Sequence, residues 1–257
     1  MIRIRGGAGL GDAIYLRPIC EHFVRAGKEV IALSGFPGVF TGSGASVEPF
    51  RRDRVDLVAH YTSGKTNPAT TIWQDVCAQA LVEVPLAFTW EIQNRALIDR
   101  LKAKAAGRPL ILVHGGREPM GRRDGFGNEL LPNEQAFGAV LSSLHDCVLV
   151  QVGKDQQIYP LRADISLNGS TSVADLLDIA AICAGVVAQC SFAVPLAEVF
   201  DKPLLVAWAA RGLASREQFI RTVTPAKMLS KPSSHFVMDD WPVQQLQEAA
   251  RAFRKLF

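Results

Sequence analysis

The chain opens M-I-R-I-R-G-G-A-G-L-G-D-A-I-Y-L-R-P-I-C over residues 1–20, and the reading of this stretch decides the fold. Ile2 and Ile4 alternate with arginines, as in a short strand. Gly6, Gly7, Gly9 and Gly11 make a glycine-rich turn. A helix is expected over residues 13–26, with Ile14, Ile19, Phe23 and Val24 towards a sheet and Gly27 at its end. Such a strand, turn and helix form a natural ligand site. The first helical N–H groups lack partners and carry positive partial charge, and glycines let a ligand approach the backbone. Asp12 stands where an N-cap would stand and is the acidic group of the turn. It either caps the helix or performs chemistry. Pro18 falls inside the helical pattern, where it should bend or weaken the helix.

Working outward, residues 28–33 read as a second strand, which makes a β-loop-α-β unit with a right-handed crossover. Residues 34–50 read as a Gly/Ser-rich loop with at most a short helix. Residues 51–54 are a basic cluster, and 55–60 a third short strand. Residues 59–66 fit a relaxed phosphate-loop pattern, but Asn67 and Pro68 follow where a phosphate-binding helix should grow. That segment therefore reads as a polar loop. Helices are expected over 71–81 and 90–105, with a hinge at 106–109. Residues 110–114 are a clean apolar strand running into Gly115 and Gly116, which restarts the opening pattern as a second α/β unit. Helices over 131–144, 173–184, 193–200, 215–221 and 241–257 alternate with strands over 147–152, 164–167, 185–189 and 203–208.

Composition narrows the class. Hydrophobic residues are 48% and charged residues 21% of the 257, which is ordinary for a globular protein and argues against extended disorder. The net charge of +3 suits an anionic ligand but does not by itself indicate nucleic acid. Cys20, Cys77, Cys147, Cys183 and Cys190 form no C-x-x-C pair and sit among apolar neighbours, so reduced thiols and a cytoplasmic location are expected. No secretory signal pattern opens the sequence, and no apolar run reaches the ~18 residues of a membrane span. The histidines show no metal-ligand spacing.

Two Rossmann-like halves without a full dinucleotide fingerprint imply an α/β protein with two domains facing across a cleft, and ligands at the carboxyl ends of strands. In this arrangement the sequence resembles the GT-B glycosyltransferases, and in particular the ADP-heptose:lipopolysaccharide heptosyltransferase-like family. Gly11-Asp12 followed by Pro18 is similar to that family's G-D-x-x-x-x-x-P opening. Residues 131–137 (L-P-N-E-Q-A-F) are similar to its W-P-x-E-x-W segment. Residues 167–177 resemble its L-x-G-x-T-S-L-x-E-L element. Residues 189–203 (Q-C-S-F-A-V-P-L-A-E-V-F-D-K-P) resemble D-T-G-x-x-H-L-A-A-A-L-G-x-P. The motifs run in family order along nearly the whole chain. Gln189-Cys190-Ser191 departs from the family's D-T-G, and the family lysine before W-P has no counterpart nearer than Arg122 and Arg123.

The resemblance implies a GT-B fold with an acceptor-side domain at 1–106, a nucleotide-sugar domain at 107–240, and a terminal helix at 241–257 packing back towards the first domain. It implies an inverting, metal-independent glycosyltransferase that uses a nucleotide sugar as substrate and needs no cofactor. Asp12 takes the role of general base, removing the proton of the attacking hydroxyl. Candidate donor contacts are Gly9, Gly11, Gly115, Arg117, Arg122, Arg123, Gly153, Lys154, Gln189, Cys190, Ser191 and Phe192, with guanidinium forks suited to the leaving diphosphate. Tyr15, Arg51 and Arg52 are the candidate acceptor contacts. The acceptor is a saccharide or a hydroxylated base in DNA. The donor's base and sugar and the oligomeric state stay open. Competing expectations are a non-catalytic nucleotide-binding or assembly protein of the same fold and a sugar-nucleotide epimerase.

Overall fold

The computed structural model describes residues 1–51, 55–61, 69–115, 132–153, 163–210 and 225–257. The described residues form two parallel sheets, one on each side of Gly107. The first has the order β3-β2-β1-β4, built from β1 (Ile2–Arg5), β2 (Val30–Leu33), β3 (Ser46–Glu48) and β4 (Leu57–Val58). The second has the order β10-β9-β8-β5-β6-β7, from β5 (Leu110–His114), β6 (Val148–Gln151), β7 (Ile165–Ser166), β8 (Gly185–Gln189), β9 (Leu204–Trp208) and β10 (Ser234–Met238). In each sheet the chain starts at an inner strand, winds outward to one side, then crosses back to the other. The order therefore reverses beside β1 in the first sheet and between β5 and β8 in the second. Such switch points leave a crevice at the carboxyl ends of the strands.

The helices are α1 (Leu10–Arg25), α2 (Ile72–Gln79), α3 (Arg95–Ala105), α4 (Glu134–Ser142), α5 (Val173–Ile182), α6 (Ala193–Val199), α7 (Pro225–Met228) and α8 (Val243–Arg254). Several start where a side chain accepts a free backbone N–H: Thr71 from Gln74, Asn94 from Leu97, and Ser172 from Asp175.

Strands β5, β6, β8 and β9 are buried on both faces, so they read as unbroken apolar runs rather than as alternations. Their side chains still alternate between faces. Leu110, Leu112, Val186, Ala188, Leu204 and Val206 join a core continuous with Ile4, Ile14, Leu16 and Ile19 of the first half. Ile111, Val113, Val187, Leu205 and Ala207 face the other way, against Phe137 of α4 and Leu246, Ala250 and Phe253 of α8. Gly185 permits this: a Cβ there would lie 2.7 Å from Phe253 Cζ.

The terminal helix thus departs from expectation. Among the described residues it packs chiefly on α4, β9 and β10 of its own half rather than on the first domain. Its apolar residues, spaced i, i+4 and i+7, show that it has one buried face but not which surface receives it. Residues 34–50 hold more structure than the loop expected, namely a 3-10 turn at Pro37–Phe40 and strand β3. Residues 90–94 are irregular rather than helical, because Asn94 caps α3 and the segment before it is bound to α5. The helix expected at 215–221 lies outside the described residues.

Buried polar groups tie the halves together. Asp178 of α5, fully buried, accepts from Trp90 Nε1 (2.7 Å), Gln93 N (3.0 Å) and Asn94 N (2.7 Å). Lys227 of α7, also buried, donates to Asp75 Oδ2 (2.8 Å) and to the Thr70 carbonyl (2.6 Å).

Candidate active site

Helix α1 begins at Leu10, three residues before the expected start. Gly9 is its N-cap, and Asp12 is the third helical residue. Asp12 Oδ2 accepts the Gly9 backbone N–H at 2.9 Å, satisfying one of the donors that a helix start leaves free. Asp12 therefore is not the N-cap residue, but its carboxylate does cap. One oxygen is used this way. The other, Oδ1, faces His60 Nε2 at 3.7 Å. His60 follows β4, the strand next to β1, so the pair sits at the first sheet's switch point.

Gly7 keeps this arrangement possible. A Cβ at position 7 would lie 2.3 Å from Asp12 Oδ2 and 2.7 Å from His60 Cδ2. Gly7→Ala should therefore displace the carboxylate from both partners. We expect a loss of about 1–3 kcal/mol in urea unfolding, the usual overpacking cost, and a proportionally greater loss of any Asp12-dependent activity.

The electrostatics follow from partial burial. Burial raises the Asp12 carboxyl above its usual range, while the Gly9 N–H and His60 pull it down. Burial likewise lowers His60 below the usual imidazole value, opposed by Asp12 and assisted by Arg5. His60 stacks on Tyr61, with ring centroids 4.6 Å apart. The Tyr61 hydroxyl is pushed up by burial, and then by Asp12.

The loop after β8 carries Gln189, Cys190, Ser191 and Phe192 at the second sheet's switch point. Ser191 Oγ lies 3.0 Å from His114 Nδ1 at the end of β5, and it also accepts the Ala193 N–H at 3.2 Å. Phe192 leans on the His114 ring at 4.4 Å. Gly11 closes the approach from the other half, since a Cβ there would lie 3.4 Å from Phe192 Cα and 3.5 Å from Pro195. The start of α1 and the exit of β8 therefore meet, bringing Gly9, Gly11, Asp12 and His60 together with Ser191, Phe192 and His114.

The other predicted residues are placed as follows. Gly115 directly follows β5, and Gly153 follows β6, where its carbonyl accepts the Gly169 N–H at 2.8 Å. Gln189 is buried at the end of β8. Cys190 is buried and its thiol is pushed up to about 12, so it is neutral at physiological pH and is no thiolate nucleophile. Tyr15 lies in the core, stacked on Trp73 at 5.9 Å. Among the described residues its hydroxyl has no hydrogen-bond partner, and it is raised by burial and then by Glu198. Arg51 is exposed past β3. Arg52, Arg117, Arg122, Arg123 and Lys154 lie outside the described residues, as does most of the phosphate-loop-like segment. Among the described residues, no group of three or more His, Cys, Asp or Glu side chains could hold a metal ion, and no helix is long and apolar enough to cross a membrane.

Sequence reasoning passed over His60 and His114. A signal was available: each stands at the end of an expected strand, where an α/β sheet places its ligands. What was missing was the strand order that makes β4 and β5 the strands at the switch points.

Comparison with solved structures agrees with this architecture. E. coli ADP-heptose lps heptosyltransferase II superposes with a TM-score of 0.61, at 13% identity and over 98% of each chain. E. coli heptosyltransferase WaaC with ADP does so at 0.58, with 10% identity and 98% of each chain. The glycosyl transferase family 9 protein of Veillonella parvula gives 0.58 at 9% identity, over 100% of this chain and 89% of that one. The chain has the GT-B fold. No protein-family model matches it, and no curated protein matches it by sequence. At identities this low the likeness speaks for the GT-B fold, its two Rossmann-like sheets and the crevice between them. The roles of particular residues rest on the geometry above.

Proposed function

We propose that this GT-B protein is a glycosyltransferase that moves a sugar from a nucleotide sugar to a saccharide hydroxyl, with inversion and without a metal ion. The observation that carries the reading is the placement of Asp12. It is a carboxylate fixed by a backbone N–H at one switch point, against the loop that forms the other. The solved structures of the same fold include heptosyltransferases, one with ADP bound, which supports a nucleotide diphosphate sugar as the donor class.

In this reading the acceptor hydroxyl approaches Asp12 Oδ1 while the donor's anomeric carbon lies between the halves. The new C–O bond forms on the face opposite the leaving group, the anomeric C–O bond to the diphosphate breaks, and the hydroxyl proton passes to Asp12. Burial favours this step, because a carboxyl with raised proton affinity is the stronger base. On the donor side, Ser191 Oγ and the His114 ring stand at the end of β5 and β8 to hydrogen-bond the diphosphate, with the arginines of residues 117–123 as the proposed counter-charges.

The test is a thermal-shift panel of nucleotide sugars beginning with ADP-heptose. A ligand at 100 times its dissociation constant stabilises by about 2.7 kcal/mol, or roughly 5–10 °C for a chain of this size. ADP release from the stabilising donor in the presence of an acceptor, retained in EDTA, is the expected second result. The absence of any shift at millimolar nucleotide sugar would overturn the reading. Binding without release would favour a non-catalytic nucleotide-binding protein, and conversion of the donor alone an epimerase.

A further inference from the structure

We propose that His60 is the positioning residue for Asp12, and that the two side chains act as a dyad through which the proton of the acceptor hydroxyl leaves. This rests on the reading of Asp12 as the base and adds a second residue to it. Three observations carry the inference. His60 Nε2 faces the oxygen of Asp12 that Gly9 leaves unused, at 3.7 Å. The imidazole is held by its stack on Tyr61, in space that Gly7 leaves open, since a Cβ at position 7 would strike the ring at Cδ2. Its side chain is 32% exposed against 17% for Asp12, so His60 is the member of the pair that reaches solvent.

The spacing is longer than a hydrogen bond. In the free protein the two groups therefore interact through charge. Among the described residues, the titratable groups facing the pair are Arg5 at the end of β1, Tyr61 beside His60, and Tyr15 of α1. Of these only Arg5 carries charge at neutral pH, and it disfavours a protonated His60. The competent form is then a carboxylate beside a neutral imidazole. During transfer the acceptor hydroxyl gives its proton to Asp12 as the O–C bond forms and the diphosphate leaves with the electron pair. Neutral His60 takes that proton from Asp12 and releases it to solvent, which restores the carboxylate. A proton already on the dyad, on either member, stops the cycle. The two sites titrate as a pair.

The experiment has two readouts on the full-length protein. The first is a histidine Hε1 NMR titration of the wild type and Asp12→Asn, with His60→Gln assigning the resonance. An opposite charge within 4–6 Å favours the charged form, so the His60 midpoint should fall by about 0.5 pH unit or more in Asp12→Asn. An unchanged midpoint overturns the dyad. The second is the pH dependence of kcat/KM for ADP release from ADP-heptose in His60→Gln. Removing one of the two proton sites should move the acid limb to lower pH. An acid limb that stays in place, whatever the loss in kcat, would make His60 merely structural and overturn the proposal. A coupled titration in a protein that turns over no nucleotide sugar would support the dyad and overturn the glycosyl-transfer reading.

Discussion

Asp12→Asn is expected to lower the rate of sugar transfer by about 10²–10⁴-fold, the usual worth of a positioned general base, without lowering the melting temperature at neutral pH. The two halves of that expectation separate chemistry from capping. Asn keeps a side-chain oxygen that can accept the Gly9 N–H, so the helix start stays satisfied. Asn has no proton affinity near that of a carboxylate, so the acceptor hydroxyl loses its base. The stability sign follows from burial. The folded-state proton affinity of Asp12 lies above its unfolded value, chiefly through desolvation. A group raised in this way contributes stability that is present below its unfolded pKa and lost as pH rises through its folded pKa. At neutral pH the buried charge is therefore a cost that Asn removes. The loss of a carboxylate at a helix start, worth about 0.3–1 kcal/mol, acts against that gain. We expect a melting temperature no lower than wild type at pH 7, and a difference that shifts in the wild type's favour on moving to about pH 3. A drop of several degrees at pH 7, with transfer reduced only in proportion, would make Asp12 a cap and not a base.

The same residue shows how much of this molecule is legible in its sequence. The strand, glycine turn and acid of residues 1–12 announce a ligand site, and the repeat of that pattern at residues 110–116 announces a second sheet. Both sheets form where apolar runs and glycines place them. The short motifs shared with heptosyltransferases point to the fold that the superpositions support, although overall identity to the solved structures is only 9–13% for those compared. Three things were not legible, each for a physical reason. Gly9 rather than Asp12 is the N-cap of the helix, because a carboxylate one turn inside can reach back to the cap N–H, and sequence does not distinguish the two positions. Strand β10 escaped because S-H-F-V-M carries an exposed face typical of a sheet edge, with little of the buried-strand signal of β5 or β8. The bonds between the halves escaped because they join residues 84–88 positions apart at Asp178 and 152 apart at Lys227. An acid in an apolar helix looks like a solvent-facing residue until its partners are found in space.

Asp178 provides the second large expected effect. Asp178→Ala should destabilise the protein by about 3–6 kcal/mol, a large fraction of the 5–15 kcal/mol that holds a typical fold. The carboxylate is wholly buried and accepts from the Trp90 indole and the Gln93 and Asn94 backbones. Removing it takes the acceptor from three part-buried donors, each at the lower part of the range of about 1–3 kcal/mol. Asn94 keeps its side-chain bond to Asp175 at 2.7 Å, so the segment is weakened rather than released. Asp178→Asn should lose less, because its one remaining oxygen can still serve part of the set. Urea unfolding measures both. The function should respond in a distinctive order. Residues 90–94 belong to the first half and α5 to the second, while Asp12 and the proposed donor contacts are divided in the same way. A loosened junction leaves Ser191 and His114 in place relative to each other, because both lie at adjacent strand ends of one sheet. It shifts Asp12 relative to them. Since a misplacement of about 1 Å can cost 10²-fold in rate, transfer at a temperature where the variant is fully folded should fall more than nucleotide-sugar affinity. Equal losses of rate and affinity would show that the second half depends on the junction for its own structure. Unchanged unfolding in Asp178→Ala would show that water satisfies the three donors and that the halves are held by the Lys227–Asp75 pair and the apolar core instead.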